Sequence, residues 1–245
     1  MAVTATDVVE ARDLERRYGE GTTAVEALRG VSLDVTKGQL VAVMGPSGSG
    51  KSTLMHTLAG LDKPTSGTVT IAGTEITGLD DGKLTLLRRE HIGFVFQFFN
   101  LLPMLNAEEN VLLPLTIAGE KADRAWLDEL LTKTGLSGRR HHRPSELSGG
   151  EQQRVAISRA LVTRPTIVFA DEPTGNLDSK TGGEILNLLR DSVQTYGQTI
   201  VMVTHEARAA AIADRILFLA DGLIVKELTE ASASDVLEVM NTLQS

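Results

Sequence analysis

The sequence contains no cysteine. This absence excludes disulfide bonds, thiol catalysis and metal sites with cysteine ligands. Long apolar runs are also missing, because no stretch approaches the roughly twenty residues that a membrane span needs. The first residues, MAVTATDVVEARD, include acids and lack the basic start and apolar core of a secretion signal. We therefore expect a cytoplasmic protein that has no membrane span of its own.

An excess of positive charge is absent as well. The 245 residues carry a formal net charge of −8, with 32 acidic side chains against 24 lysines and arginines. This balance argues against a non-specific nucleic-acid binder and against a protein that coats anionic membranes. An acidic protein of this kind binds a polyanion only through a pocket that is locally positive or dipolar. We expect no nucleic-acid partner.

Apolar patterning predicts an α/β fold in which a sheet carries helices on its faces. Three nearly continuous apolar runs, rich in β-branched residues, are expected to form central parallel strands: QLVAVMG, TIVFAD and TIVMVT. VSLDV and GTVTIAG alternate between apolar and polar residues, so they predict a partly exposed antiparallel region. RILFLADGLIV is typical of a hairpin with Asp221 and Gly222 at its turn.

The stretch from Phe98 to Ser145 has few β-branched residues and predicts consecutive helices that interrupt the α/β core. Within it, AWLDELLTKTG predicts a helix that ends at Gly135. The apolar stripe of this helix consists of Trp126, Leu127, Leu130 and Leu131. The C-terminal SASDVLEVMNTL predicts a last amphipathic helix. No internal repeat and no sustained heptad pattern is present.

GPSGSGKST follows one predicted strand and opens a predicted helix, the context that a phosphate-binding loop requires. The glycines let the backbone N–H groups turn towards phosphate oxygens, and the helix start adds partial positive charge. Lys51 supplies a charge to the β- and γ-phosphates, and the Ser52 hydroxyl suits Mg²⁺. The expected nucleotide contacts are Gly45, Pro46, Ser47, Gly48, Ser49, Gly50, Lys51, Ser52 and Thr53. A glycine-rich turn without a ligand is the alternative, and the context disfavours it.

TIVFADEP ends a predicted buried strand in two carboxylates. Ligands bind at the carboxyl ends of parallel strands, so Asp171 and Glu172 are expected beside the phosphate loop. Adjacent side chains point in different directions, which predicts separate roles. Asp171 is expected to hold Mg²⁺, and Glu172 to orient or deprotonate the attacking water. The structural alternative is that the two acids only end the strand.

Two further polar residues follow predicted strands at the same edge. His205, after TIVMVT, is placed where an imidazole reaches the γ-phosphate or the water. Gln97, at the end of IGFVFQ, carries an amide that reaches the metal or the water. From position alone, a structural histidine is as good an interpretation of His205, and Gln97 is a weak signal.

A second glycine-rich segment, LSGGEQQ, lies about a hundred residues beyond the phosphate loop. One such loop is enough to hold a nucleotide, so the second segment needs an explanation. Ser148 and Glu151 match a capping box at the start of a helix, which is a purely structural role. Glycine costs a helix about 1 kcal/mol relative to alanine, so Gly149 and Gly150 suggest that something approaches this backbone closely. Since the phosphate loop is already complete, we expect this helix start to close on a nucleotide held by another copy.

At this point the chain resembles the ATP-binding cassette (ABC) family. LSGGEQQRVAISRAL is similar to the family's signature motif, and GPSGSGKST and FADEP to its Walker A and Walker B motifs. The motifs occur in the family's order and the resemblance covers essentially the whole chain. It implies two subunits placed head to tail with two ATP molecules between them. Each site then combines the phosphate loop of one subunit with Ser148, Gly149 and Gly150 of the other.

The same resemblance assigns roles to residues that the pattern alone leaves open. Gln97 matches the family's Q-loop, Asn176–Asp178 its D-loop and His205 its switch histidine. Tyr18 matches the aromatic residue that stacks on adenine. The catalytic residues implied are Glu172, His205 and Gln97, and the metal ligands implied are Ser52, Gln97 and Asp171. The cofactors implied are ATP and Mg²⁺.

The implied fold is a P-loop NTPase core with a mostly parallel sheet, an N-terminal antiparallel β region and a helical insertion. We expect a single domain over residues 1–245. Its core is expected to comprise residues 1–97 and 146–245, and its helical subdomain residues of about 98–145.

ADEPTGNLDSKTG and FQFFNLLPMLNAEENV are similar to a subgroup of the family that serves lipoprotein release, macrolide or peptide export, and cell-division regulation. This similarity implies an ATPase on the inner face of the cell membrane that energises a membrane transporter, in particular for export. The apolar run Phe98–Leu105 is then expected to receive an integral permease partner. Burial of this run in the protein's own core is the structural alternative.

Other functions remain open from the residues. A regulatory, non-transporting ATPase of the cell-division type shares every motif, and only its membrane partner distinguishes it. A chromosome-maintenance ATPase would show long heptads between Gln97 and Leu147, and a translation-factor ATPase would carry two cassettes. A phosphoryl-transferring kinase is supported by the phosphate loop alone.

Overall fold

The computed structural model describes residues 7–244. The strands are β1 (Asp7–Tyr18), β2 (Val25–Thr36), β3 (Leu40–Met44), β4 (Ser66–Ile71), β5 (Thr74–Glu75), β6 (Ile92–Val95), β7 (Ile167–Asp171), β8 (Thr199–Val203), β9 (Arg215–Ala220) and β10 (Leu223–Thr229). The helices are α1 (Lys51–Leu58), α2 (Asp81–His91), α3 (Ala107–Ala118), α4 (Arg124–Lys133), α5 (Gly149–Leu161), α6 (Ser179–Tyr196), α7 (Ala207–Ala210) and α8 (Ala233–Gln244). Short 3₁₀ turns lie at Gly21–Thr23, Ser137–Arg139 and Pro144–Glu146.

The strands form two sheets. In the larger one, β9, β3, β8, β7 and β6 run parallel in that order, and β10 pairs antiparallel with β9 at one edge. The smaller sheet is antiparallel, with the order β2-β1-β4-β5. The predicted α/β class, with a mostly parallel sheet and an N-terminal antiparallel region, is therefore confirmed.

The parallel sheet is buried on both faces, as its nearly continuous apolar runs predict. Val41 and Val43 of β3 pack in the apolar core between this sheet and the antiparallel one. Ala42 and Met44, which alternate with them, pack in the core shared with helices α3 to α8. Because both faces are covered, only the ends of the strands are open to a ligand.

The predicted hairpin connects β9 and β10. Asp221 and Gly222 have φ values of 48° and 75°, so both turn residues lie in the left-handed region. Two consecutive left-handed residues define the turn type that matches the twist of a two-residue hairpin. The prediction from Asp-Gly is confirmed.

The stretch between β6 and α5 is only partly helical. Helix α4 buries the four residues of the predicted stripe, and Gly135, with φ 72°, lies just beyond its end. Residues 98–106, however, form turns rather than a helix, so the prediction of consecutive helices from Phe98 is wrong there. The buried side chain of Asn110 explains the difference, because its Nδ2 donates to Leu102 O and Leu105 O (3.1 Å each) and holds them in a non-helical path.

The last helix, α8, buries Val236, Val239 and Met240, as expected of an amphipathic helix. Among residues 7–244, no helix combines the length and the apolar character that crossing a membrane would require.

Candidate nucleotide-binding site

Neighbouring parallel strands bring the predicted phosphate and catalytic residues to one edge of the larger sheet. Strand β3 ends at Met44 and leads into the phosphate loop, and β7 ends at Asp171. Strand β8, which lies between them, ends at Val203, two residues before His205. Open α/β sheets bind their ligands at this carboxyl edge. The edge is therefore the candidate site.

The phosphate loop between β3 and α1 is shaped by contacts with both sheets. Gly50 has φ 102°, and a side chain there would overlap the carbonyl oxygen of Ala27. From the hairpin turn, Gly222 N–H donates to Ser49 O (3.1 Å), while Gly222 O accepts from Arg29 N–H (2.9 Å). The loop is thus held in one conformation by the antiparallel sheet and by the hairpin.

Within residues 7–244, the start of α1 leaves polar groups of the loop without hydrogen-bond partners. The first helical bond runs from Leu54 N–H to Gly50 O (2.8 Å). The N–H groups ahead of this bond belong to Lys51, Ser52 and Thr53. The hydroxyl of Ser49 is buried and has no hydrogen-bond partner in the described part of the chain. Ser47 and Gly48 are exposed at the tip of the loop. This arrangement is suited to an anion.

Lys51 is folded back on the loop. Its Nζ donates to Pro46 O (2.8 Å) and Gly45 O (3.0 Å). Burial lowers the pKa of the ammonium group, and the nearby carboxylates of Glu172 and Asp171 partly oppose this shift. A partly buried cation whose hydrogen bonds go to carbonyl oxygens alone is stabilised further when an anion reaches it.

Glu172 and His205 form a pair at the sheet edge. His205 Nδ1 lies 2.7 Å from Glu172 Oε1, and the Glu172 side chain is largely buried whereas that of His205 is exposed. Glu172 has φ 45°, a left-handed conformation that costs a residue with a Cβ about 1 kcal/mol or more. Its N–H donates to Val203 O (2.9 Å), which fixes this conformation. The strand end therefore aims the carboxylate at the histidine.

Asp171, the last residue of β7, lies in a different environment. Burial raises the pKa of its carboxyl group, and the charge of Glu172 adds to the rise, while His56 and Lys51 oppose it. A carboxylate that is destabilised in this way gains stability from a bound cation. The two adjacent acids thus differ in their partners.

Gln97 lies two residues beyond β6, because the strand ends at Val95 rather than at the glutamine. Its backbone oxygen accepts a hydrogen bond from Asn176 Nδ2 (2.8 Å). Its side-chain amide packs against Gly175, where a side chain would come within 2.9 Å of Gln97 Nε2. Gln97 is therefore attached to the loop that follows Glu172.

Tyr18 is 41% exposed at the end of β1. The guanidinium carbon of Arg16 lies 4.3 Å from the centre of its ring, and Tyr18 OH donates to Asp62 Oδ2 (2.5 Å). Arg16 covers one face of the ring, so only the other face is available for stacking on a base.

Ser148 begins α5 as the predicted capping box. Its hydroxyl accepts from Glu151 N–H (3.3 Å), and Glu151 Oε2 accepts from Ser148 N–H (2.8 Å). Arg139 Nε donates to the other oxygen of Glu151 (2.9 Å). Hydrogen bonds with Ser148 lower the pKa of Glu151 despite some opposing burial. The capping role that the sequence predicts for Ser148 and Glu151 is therefore present in the structure.

The close approach that we inferred from the glycines occurs within the chain itself. A side chain at Gly150 would overlap the methyl group of Thr181, so position 150 is closed by a residue of α6. At Gly149 a side chain would make only ordinary contacts, 3.4 Å to Leu177 and 3.8 Å to Phe99. Packing inside the chain therefore accounts for Gly150, and it does not account for Gly149.

Ser148 lies at the same edge of the sheet as the phosphate loop but not beside it. A side chain at Gly93, early in β6, would overlap the carbonyl oxygen of Ala160, late in α5. Since the start of α5 instead approaches Phe99, α5 runs antiparallel to β6. Strands β8 and β7 separate β3 from β6, which at the usual spacing is about 14 Å. One chain thus presents two separate helix starts at this edge, those of α1 and α5.

Sequence reasoning missed several residues that support these groups. Gln153 of α5 donates from Nε2 to Pro173 O (2.7 Å), which connects the helix of Ser148 to the loop after Glu172. Asp62, which binds both Tyr18 and Arg16, lies in an unremarkable loop. Only the motif LSGGEQQ hinted at Gln153, and no pattern in the sequence points to Asp62.

Comparison with known proteins places these features in a family. A profile described as "ABC transporter" matches residues 28–175. The lipoprotein-releasing system ATP-binding protein LolD of Geobacter metallireducens is 48% identical over 222 residues, which cover 90% of this chain and 99% of LolD. The macrolide export ATP-binding/permease protein MacB of Rhodopseudomonas palustris (strain HaA2) is 47% identical over 233 residues, which cover 94% of this chain and 36% of MacB. The chain thus spans about a third of the length of the MacB relatives that it matches.

A solved structure has the same fold. The dimeric ATP-binding cassette MJ0796, in a post-hydrolysis state bound to ADP and Pi, superposes with a TM-score of 0.82 and 43% identity, covering 91% of this chain and 99% of that one. The profile covers more than half of the chain, and LolD is matched over almost its whole length. The chain therefore belongs to the ABC transporter family, as one of its ATP-binding cassettes.

Proposed function

We propose that the chain hydrolyses ATP and that two copies, closing on ATP and reopening after hydrolysis, energise a membrane transporter. The observation that carries this proposal is the group of residues at one sheet edge: Lys51 in the phosphate loop, Asp171, and the Glu172–His205 pair at 2.7 Å. The relatives act in lipoprotein release and macrolide export by name, so the cargo class proposed is a lipoprotein, peptide or drug that is extruded.

The residues at the carboxyl edge of the larger sheet have separate roles in the proposed hydrolysis. The loop from Gly45 to Thr53 binds the phosphates through its N–H groups, and Lys51 leaves its carbonyl partners for phosphate oxygens. Glu172 orients the attacking water and takes its proton. His205, held by Glu172, contacts the γ-phosphate or the water. Tyr18 stacks on adenine with its uncovered face.

The residues also fit a Mg²⁺ ion. The donor set proposed is the Ser52 hydroxyl, the Gln97 amide oxygen and the Asp171 carboxylate, all oxygen ligands of the kind that this ion prefers. Burial raises the pKa of Asp171, because the nearby positive charges do not fully stabilise its ionised form. When bound, Mg²⁺ would neutralise charge on the phosphate groups.

The second copy completes each site. Ser148, Gly149 and Gly150 begin α5 at the sheet edge but about three strand spacings from the phosphate loop of their own chain. They are therefore free to bind the γ-phosphate of a nucleotide held by a partner copy placed head to tail. Loss of that phosphate removes the bridge between the copies, which lets the dimer reopen.

A membrane partner docks beside Gln97. The segment after Gln97 exposes three apolar side chains, which we call the docking surface: Phe98 (73% exposed), Leu102 (38%) and Met104 (68%). Phe99, Leu101 and Leu105 are partly buried, so the run from Phe98 to Leu105 divides between the core and this surface. Exposed apolar patches mark partner sites. The partner is an integral permease, and the chain works at the inner face of the cell membrane.

The proposal is tested with the chain and its membrane partner purified together in lipid. Phosphate release from ATP is measured for the chain alone and with the partner present. We expect turnover in both cases, at rates that differ, and cargo movement in sealed vesicles. An absence of phosphate release would reject the enzyme. A partner that changes turnover while no cargo moves would favour the regulatory, cell-division type of ATPase.

A further inference from the structure

A buried glutamine connects the helix of Ser148 to the loop that follows Glu172. Gln153 lies one turn beyond Gly150 on the same face of α5 and is fully buried (0% exposed). Its Nε2 donates to Pro173 O (2.7 Å). Because Pro173 directly follows Glu172 in the chain, this hydrogen bond joins α5 to the backbone beside the proposed catalytic base.

The amide of Gln153 is only half satisfied. Its Oε1 is buried, and within residues 7–244 no group donates a hydrogen bond to it. A buried amide oxygen without a donor destabilises a fold, whereas an apolar side chain of similar shape carries no such cost. The bond to Pro173 O and the unpaired Oε1 therefore have opposing effects on stability. Stability alone gives little reason for a glutamine here, and its donor contact beside Glu172 points to another role.

The backbone at Glu172 depends on outside contacts. Glu172 has φ 45°, although the proline that follows it favours an extended conformation in the preceding residue. Without restraint this backbone would relax, and the direction of the carboxylate towards His205 would change with it. The Glu172 N–H donates to Val203 O (2.9 Å), and its carbonyl group accepts from Gly175 N–H (3.1 Å). Gln153 adds a third hydrogen bond, to the next carbonyl group along the chain.

The three hydrogen bonds come from different parts of the fold. Val203 belongs to β8 and Gly175 to the loop itself, whereas Gln153 belongs to the helix that begins at Ser148. In the proposed dimer, that helix start contacts the nucleotide of the partner copy, while Glu172 serves the nucleotide of its own chain. Gln153 thus connects the part of the chain that contacts one nucleotide with the part that hydrolyses the other.

We propose that Gln153 is a positioning residue for hydrolysis, which keeps Glu172 directed at the attacking water by holding Pro173 O. The inference rests on the proposed function and adds to it a residue that touches neither nucleotide nor metal. The phosphate loop binds ATP without help from Gln153. A positioning residue of this kind therefore acts on the bound state, so it affects kcat and not the KM for ATP.

The test compares two buried glutamines that each donate to the carbonyl group of a proline. Gln198, 8% exposed, donates from Nε2 to Pro165 O and Thr199 O (3.1 Å each), at the opposite ends of β7 and β8 from Glu172. Gln153→Met and Gln198→Met keep the side-chain volume similar and remove the donor. Phosphate release by the full chain with Mg²⁺ is measured over a range of ATP concentrations. Urea unfolding gives the stability of each protein.

The two variants should have opposite effects. Gln153→Met should lower kcat about tenfold, since a small displacement of a positioned group has a large effect on rate. Its KM for ATP should stay within about twofold of the wild-type value. Its urea midpoint should stay close to that of the wild type, because removal of the unpaired Oε1 offsets the lost hydrogen bond. Gln198→Met should instead lower the midpoint and leave kcat unchanged. Gln153→Leu, a second apolar shape, should behave as Gln153→Met does.

Each contrary outcome has a separate meaning. A wild-type kcat in Gln153→Met would overturn the inference while the proposed function stands. An unchanged kcat with a raised KM would assign Gln153 to the support of Ser148 and would also overturn it. Failure of both Gln153 variants to fold, or a midpoint as low as that of Gln198→Met, would make Gln153 a structural residue and reject the inference. A wild-type chain that releases no phosphate rejects the proposed function together with the inference.

Discussion

The methyl group of Thr181 occupies the space in which a side chain at Gly150 would lie. The hydroxyl of the same threonine donates to Asp178 Oδ2 (2.6 Å), and its N–H to Asp178 Oδ1 (3.1 Å). The turn at Ser148 therefore rests on the loop that follows Glu172 in its own chain. In a head-to-tail dimer, Ser148 of one chain would contact the nucleotide that the partner holds. The loop after Glu172 in the first chain would then hold Ser148 in position.

Gly150→Ala should destabilise the fold by about 1–3 kcal/mol, because the new methyl group overlaps that of Thr181 in a packed region. The double variant Gly150→Ala/Thr181→Ser removes the competing methyl group, keeps the hydroxyl, and should recover most of the loss. Gly149→Ala is the matched control and should fold normally. Urea unfolding followed by circular dichroism measures all three; an unaltered midpoint for Gly150→Ala would contradict the packing.

Glu172→Gln should bind ATP as the wild type does but hydrolyse it at least about a hundredfold more slowly, since the amide cannot take a proton. The ATP-bound dimer should then accumulate, as size-exclusion chromatography with ATP and Mg²⁺ would show. Glu206→Gln, an equivalent change three residues after β8, serves as the control and should turn over normally, because the Glu206 carboxylate accepts from Thr174 Oγ1 rather than pairing with His205. A Glu172→Gln protein that stays monomeric with ATP would count against ATP-driven closure.

Lys51→Ala and Ser148→Arg should each abolish turnover alone, because each disables one half of both shared sites. Mixed in equal amounts, they form hybrid dimers that contain one intact site. Random pairing should therefore restore about a quarter of the wild-type turnover. Phosphate release is measured after dimers have been confirmed by light scattering. Hybrid dimers without any recovery would reject the shared site.

Phe98→Asp with Leu102→Asp should abolish partner-dependent changes in turnover while basal turnover stays near the wild-type value. The physical reason is that both side chains are exposed, so the charges disturb a docking surface rather than the core. Val225→Asp, on the exposed edge strand β10, is the control. Phosphate release with and without the partner measures the effect. Equal loss of basal and partner-dependent turnover would assign the two residues to the core instead.

Asp62→Asn should lower stability by about 1 kcal/mol at neutral pH. Burial favours the neutral acid, but hydrogen bonds from Tyr18 and Arg16 outweigh it, so the folded-state pKa of Asp62 is lowered. A lowered pKa contributes stability that is present above the unfolded value and lost as the pH falls through the folded one. In urea unfolding, the difference in stability between the two proteins should therefore shrink as the pH falls below about 4 and vanish below the folded-state pKa. A difference that persists there would assign the effect to packing.

Much of the fold could be predicted because the apolar runs are local signals. Continuous runs marked β3, β7 and β8, and Asp221-Gly222 marked the hairpin, since each pattern has one low-energy structure. The path of residues 98–106 could not be predicted, because it depends on a buried side chain, Asn110, several residues further along the chain. Long-range side-chain contacts leave no periodic trace in a sequence.

The same distinction between local sequence signals and long-range contacts applies to the candidate site. The phosphate loop and the acids at Asp171 and Glu172 form contiguous motifs, and their places at the ends of strands follow from the parallel sheet. The pairing of Glu172 with His205 required the order of β7 and β8, which the sequence does not state. From the sequence, Gly149 and Gly150 predict a close approach by a nucleotide held by another copy, and the contact of Gly150 with Thr181 was not foreseen, because a glycine shows only that space is needed and not which neighbour takes it. The roles of these residues in catalysis stay predictions.

The hairpin turn at Gly222 has one more consequence. Its N–H group donates to Ser49 of the phosphate loop and its carbonyl group accepts from Arg29 of the antiparallel sheet. The loop is therefore already ordered without a nucleotide. Because the phosphate loop is already ordered, none of the binding energy of a nucleotide is needed to order it. In the function that we propose, the binding energy of the triphosphate is then available for closing two subunits on each other.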